Sequence, residues 1–74
     1  MDNEFLVGVK FLVVVKDDLN IVRNQRLCNT REEARIAKGY FEFKWDPDNS
    51  DYTVEVQMLH DKIENYKVVV LKDI

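Results

Sequence analysis

The sequence predicts a small α+β domain, a two-layer β-β-α-β-β fold with a four-stranded antiparallel sheet and one helix on one face. Three observations support this fold class: Val- and Phe-rich segments that alternate with period two, one long amphipathic segment, and the order in which these segments follow one another. Two layers are the simplest arrangement in which one sheet and one helix bury their apolar faces.

The first predicted element is a β-hairpin in the N-terminal third of the chain. FLVGVKFLVVV, residues 5–15, is rich in Val and Phe, and the odd-numbered residues from Phe5 to Val15 share one face at period two. KDDLN then supplies turn-forming Asp and Asn residues, and IVRNQRL predicts the returning strand.

The helix is predicted to begin near Thr30. Thr30 and Glu33 fit a capping box, in which the Thr30 hydroxyl accepts from the Glu33 amide and the Glu33 carboxylate accepts from the Thr30 amide. Residues up to Trp45 then divide into a charged side and a broad apolar side. In the alternative, a short helix ends at Gly39 and FEFKW becomes a strand of a five-stranded sheet. The long helix accounts for more residues, and one interior Gly costs only about 1 kcal/mol relative to Ala.

The second half of the chain predicts the other two strands. Pro47 ends the helix, since it disfavours the α conformation at Asp46. DYTVEVQML alternates apolar and polar residues and predicts a strand, HDKIEN predicts a turn or a single helical turn, and YKVVVLK predicts the last strand. We expect one domain, residues 1–74.

Composition argues against three classes of protein: general nucleic-acid binders, secreted proteins and membrane-spanning proteins. A net charge of −3 argues mildly against a general nucleic-acid binder, which normally has a basic surface. The single cysteine, Cys28, favours a reducing compartment, and MDNEF lacks the basic start of a signal peptide. The longest apolar run, FLVVV, is far shorter than the roughly 20 residues of a membrane-spanning helix. We therefore expect a cytoplasmic protein without membrane contact.

Chemical motifs are weak in this sequence. Cys28 and His60 could be a nucleophile and its base, but such a pair needs spatial contact, an orienting group and an oxyanion donor, and the sequence contains no known local signature for it. Asp46, Asp48 and Ser50 match the first positions of a calcium loop, but Asp51 replaces its Gly and Gln57 its bidentate Glu. We expect neither an enzyme nor a bound cofactor or metal.

Two surfaces are candidates for recognition. A single helix covers one sheet face only, and the uncovered face is predicted to present a partner-binding apolar patch of Leu6, Leu12, Val14, Val69 and Leu71. A cationic row on the helix, Arg31, Arg35 and Lys38, could meet phosphates or an acidic protein surface, together with Arg23 and Arg26 on the preceding strand. The aromatic residues Tyr40, Phe41, Phe43 and Trp45 are expected to lie mainly in the core.

CNTREEARIAK, residues 28–38, resembles the strand-to-helix junction in the arm-type DNA-binding domains of phage integrases. Those domains are basic and place the helix after three strands, so no function is carried over. The size, acidity and layout also resemble several small phage inhibitors of bacterial defence systems, which implies occlusion of a partner protein. The expected function is a non-enzymatic protein-protein interaction module, with self-association into a homodimer as one form. The alternative is a nucleic-acid-binding protein that uses Arg31, Arg35 and Lys38.

Overall fold

A computed structural model describes residues 9–61, 66–72 and 74, and it contains the predicted fold. Strands β1 (Val9–Lys16), β2 (Val22–Cys28), β3 (Thr53–Asp61) and β4 (Tyr66–Leu71) form one antiparallel sheet in the order β2-β1-β3-β4. Helix α1 (Arg31–Trp45) packs on this sheet, and a short 3₁₀ helix (Pro47–Asn49) follows it. The predicted α+β class is confirmed. The part of the first predicted strand before Val9 lies outside the described residues.

Helix α1 passes through Gly39 without interruption and ends at Trp45. The alternative, in which residues 41–45 form a fifth strand, is therefore wrong. The helix continues because its inner side buries Phe41 and packs Trp45 against the core, and this burial outweighs the cost of one interior Gly.

Both ends of α1 follow from local sequence. At the start, the Thr30 hydroxyl accepts from the Glu33 amide at 3.1 Å, as predicted. The Glu33 carboxylate, however, accepts from the amide of Asn29 at 3.0 Å instead of that of Thr30. At the end, Asp46 adopts a left-handed conformation (φ 51°) before Pro47, and its amide donates to the Glu42 carbonyl at 3.0 Å.

The core lies between α1 and one face of the sheet. Phe11, Val13 and Val15 of β1 are buried there, as the period-two pattern predicts, and the helix contributes a ridge spaced by three and four residues. We call these helix residues, Ala34, Ala37, Phe41 and Trp45, the inner ridge. The ridge begins with two small, buried residues, Ala34 and Ala37, and α1 contacts β1, β2 and β3.

The connection between β3 and β4 begins later in the chain than the sequence predicts. Strand β3 runs two residues further than expected and includes His60 and Asp61. The remaining residues of the predicted turn, 62–65, lie outside the described part of the chain. Strand β4 then pairs with β3, with Leu71 opposite Val56 and Val69 opposite Met58.

Candidate interaction surface

The outer side of helix α1 carries three large apolar side chains that point away from the sheet. Ile36, Tyr40 and Phe43 are 64%, 53% and 87% exposed, and their spacing of four and three residues aligns them along the helix. We call these three residues the outer stripe. They lie on the side of the helix roughly opposite the inner ridge, so burial in this chain does not explain them.

The outer stripe adjoins a groove between α1 and the edge strand β2. The groove has a volume of about 460 Å³ and is lined by Arg26, Leu27 and Cys28 of β2 and by Glu33, Ile36, Ala37 and Tyr40 of α1. Leu27 is also largely exposed. Because Ile36 and Tyr40 belong to both features, stripe and groove form one continuous, largely apolar surface.

The location of the aromatic residues corrects the prediction that they all lie mainly in the core. Phe41 is only 4% exposed, and Trp45 packs partly buried against Tyr52 with ring centroids 4.7 Å apart. Tyr40 and Phe43, in contrast, belong to the outer stripe. A helix that rests on a sheet buries a limited arc, and the apolar side of α1 is wider than that arc. This excess width is the sequence signal for the outer stripe.

The predicted apolar patch on the open sheet face is divided by the strand register. Val69 and Leu71 pair with Met58 and Val56, whose side chains pack on the helix-covered face. Cross-strand partners point to the same side of a sheet, so placing Val69 and Leu71 on the uncovered face was wrong. Leu71 in fact packs against the core.

The other residues of that patch give a limited surface. Val14 is 1% exposed and Leu12 is half-buried, whereas Leu6 lies outside the described residues. The same face carries a polar network, in which the Glu55 carboxylate accepts from Lys16 at 3.4 Å and from Gln57 at 2.7 Å. Partner binding by this face stays a prediction, but Val14 is not accessible for it.

The cationic row is largely paired with carboxylates. Arg35 donates to Glu32 at 2.6 Å, Lys38 donates to Glu42 at 2.6 Å, and Arg23 of β2 donates to Asp17 at 3.0 Å. The hydrogen bonds from Arg35, followed by its charge, lower the pKa of Glu32, and Glu32 in turn raises the pKa of Arg35. Arg31 and Arg26 are exposed, and Arg26 lines the groove. The helix therefore presents alternating charges more than a cationic row.

Cys28 lies at the inner wall of the groove but is poorly suited to act as a nucleophile. It is buried, and this burial, followed by the negative charge of Glu33, raises the pKa of its thiol, with Arg26 opposing the shift. The thiol is therefore protonated at neutral pH, and the thiolate is the reactive form.

Ion binding has little support in the described residues. Among residues 9–61, 66–72 and 74, no group of three or more His, Cys, Asp or Glu side chains could hold a metal ion. In the loop that partly matches a calcium-binding pattern, Asn49 donates to the Asp46 carboxylate at 3.1 Å. Over the same part of the chain, no helix has the length and apolar character to cross a membrane.

Comparisons with other proteins give no identification. Neither a protein-family model, nor a curated protein, nor a solved structure matches this chain. Any functional assignment therefore has to come from the chain's own residues.

Proposed function

We propose that this protein is a non-enzymatic interaction module that binds a protein partner through the outer stripe of α1 and the groove beside it. The observation that carries the proposal is the exposure of Ile36, Tyr40 and Phe43 along one side of a helix that is well packed on its other side. Single exposed apolar residues are common, but a contiguous apolar patch on a small domain is typical of an interaction site.

The composition of this surface suits protein recognition. Aromatic residues are enriched in protein-protein interfaces and supply much of their binding energy. A helix that presents apolar residues at positions i, i+4 and i+7 matches the spacing of helix-mediated recognition. The groove adds a concave wall, and Arg26 and Glu33 at its lining offer polar contacts at the rim.

Chemistry at the same surface supports binding more than catalysis. The one nucleophilic side chain of the groove, Cys28, is buried, and its raised pKa keeps it in the less reactive thiol form. The expected mode of action is therefore occlusion of a partner surface, as the resemblance in layout to small phage inhibitors implies.

The alternative, nucleic-acid binding by Arg31, Arg35 and Lys38, has less support. Arg35 and Lys38 already form ion pairs with Glu32 and Glu42, so phosphates would have to compete with two carboxylates on the same helix. The net charge of −3 adds long-range repulsion.

A photo-crosslinking experiment tests the proposal. Phe43 is replaced by p-benzoylphenylalanine, a similar aromatic residue that forms covalent adducts with bound proteins on irradiation. The matched control carries the same residue at Leu19, which is also highly exposed but lies in the β1–β2 turn. Adducts are expected from position 43 in a lysate of the source organism, and a further Ile36→Ser substitution should abolish them.

Equal adduct patterns from positions 43 and 19, or adducts that survive Ile36→Ser, would contradict the proposal. Nucleic-acid binding is measured separately by fluorescence anisotropy with single- and double-stranded oligonucleotides at low salt. Binding that weakens steeply with salt would favour the alternative instead, because neutralised phosphates release counterions.

A further inference from the structure

Gly39 is a residue for which the described part of the chain offers no structural reason. It lies in the middle of α1 with a negative φ, and Gly is the least favourable residue in a helix interior after Pro. Apart from its two chain neighbours and the nearby backbone of the helix itself, no atom of the described residues lies within 4 Å of the position that a Cβ at Gly39 would occupy. A side chain would fit there, so neither the backbone conformation nor the packing of the described residues requires Gly.

The position of Gly39 on the helix suggests what the glycine is for. It lies three residues after Ile36 and four before Phe43, on the same side of the helix as the outer stripe. A residue without a side chain between two large apolar ones allows another backbone to approach closely. The outer stripe therefore has the form of a helix-packing seam, with its closest approach at Gly39.

We infer that the occupant of this seam is a second copy of the same chain, with the two α1 helices packed antiparallel about a two-fold axis near Gly39. This inference rests on the proposed function, because it names the partner that covers the outer stripe. In such an isologous contact, a residue a given number of positions before Gly39 lies opposite the residue the same number after it. Ile36 of one copy is then within one position of Phe43 of the other.

Charge complementarity favours this arrangement. Glu33 and Lys44 lie on one flank of the stripe: Glu33 lines the groove with Ile36 and Tyr40, and the Lys44 ammonium lies 5.9 Å from the centre of the Tyr40 ring. They are six positions before and five positions after Gly39, so antiparallel packing brings Glu33 of each copy near Lys44 of the other.

On the other flank, Arg35 lies four positions before Gly39 and Glu42 lies three positions after it. Antiparallel packing therefore brings Arg35 of each copy near Glu42 of the other. Both side chains already form ion pairs within their own helix, and a second copy would extend these pairs into a network across the contact. Antiparallel helices also align their dipoles favourably, with each N-terminus beside a C-terminus.

Sedimentation equilibrium over a concentration series tests this inference, with the wild type compared with Gly39→Ala and Gly39→Leu. The space at Gly39 and the better helix propensity of both replacements mean that neither variant should unfold. We expect the wild type to dimerise, Gly39→Ala to dimerise more weakly, and Gly39→Leu to weaken the dimer by about tenfold or more, as expected for overpacking at a close contact. Thermal unfolding at low protein concentration should be unchanged or shifted upward.

A charge substitution tests the charge pairing across the contact. Lys44→Glu places a new carboxylate opposite Glu33 of the second copy and should weaken dimerisation by about threefold, the usual effect of an exposed ion pair. Lys72→Glu makes the same change in net charge at an exposed position beyond β4 and serves as the control. It should change the dimerisation constant by less than Lys44→Glu does.

Three results would overturn the inference: a wild-type protein that stays monomeric up to about 1 mM, a Gly39→Leu variant that dimerises as the wild type does, or equal effects of Lys44→Glu and Lys72→Glu. A monomeric wild type that still forms Phe43 adducts with another protein would refute the second copy as occupant and leave the proposed function standing. Loss of both self-association and adducts would refute both.

Discussion

The inner ridge and the outer stripe of α1 have similar apolar character but opposite surroundings. The inner ridge includes two alanines and is buried against the sheet, whereas Ile36, Tyr40 and Phe43 of the outer stripe are larger and mostly exposed. Folding accounts for the inner ridge, because each of its residues contacts the core. The outer stripe has no such role, and the comparison separates the residues that stabilise this helix from those that are available for binding.

The largest expected effect is at the inner ridge. Phe41→Ala removes a nearly buried aromatic side chain at the centre of the helix-sheet contact and should lower the free energy of unfolding by about 3–5 kcal/mol. Urea unfolding followed by the fluorescence of Trp45, the single tryptophan, measures the change. A variant that is already unfolded without urea would agree with this expectation. A loss below about 1.5 kcal/mol would mean that Phe41 contributes far less to the core than its burial implies.

A leucine introduced on the inner side of the helix should change the free energy of unfolding in the opposite direction to a leucine introduced on the outer side. Ala34 is fully buried, so Ala34→Leu should overpack the core and cost about 1–3 kcal/mol of unfolding free energy. Gly39→Leu, in open space, should raise the monomer's unfolding free energy by up to about 1 kcal/mol. Both are measured by urea unfolding at low protein concentration. The comparison fails if the two substitutions change stability in the same direction.

A smaller effect is expected at the β1–β2 turn, where the backbone amides of two exposed apolar residues, Leu19 and Ile21, bond to one side chain. The Asp17 carboxylate accepts from the amides of Ile21 and Leu19, each at 2.9 Å, and from Arg23. The hydrogen bond from Ile21 is the largest cause that lowers the pKa of Asp17 below its ordinary value of 3.8, with burial opposing it.

The sign of the pH effect follows from this lowered pKa. The carboxylate contributes its stability above pH 3.8 and loses it as the pH falls through the lower pKa of the folded state. Asp17→Asn should therefore destabilise the protein more at pH 7 than at pH 2.5, as measured by urea unfolding at both values. An equal loss at both pH values would show that the charge of Asp17 has no role in the turn.

Much of the fold could be predicted from sequence because local patterns and burial agree. The alternation in β1, the Thr30 cap, the stop at Pro47 and the continuation through Gly39 each depend on residues close to one another in the chain. Where the patterns agree over fifteen residues, a single Gly does not override them.

The candidate site was harder to predict, for two physical reasons. YKVVVLK is apolar on both faces, so period two does not determine which face each residue joins. Only pairing with β3 places Val69 and Leu71 on the sheet face that carries the helix. Similarly, the apolar side of α1 is wider than one contact requires. Only the packed position of Ala34 and Ala37 shows that Tyr40 and Phe43 are directed outward.

The most direct test of the division within α1 is the effect of Phe43→Ser on two quantities in the same preparation. Because Phe43 is 87% exposed, the free energy of unfolding of the monomer should change by no more than about 0.5 kcal/mol. Capture of the partner, or self-association, should be lost. A loss of about 2 kcal/mol or more in unfolding free energy, or binding equal to that of the wild type, would contradict the assignment of the outer stripe to recognition.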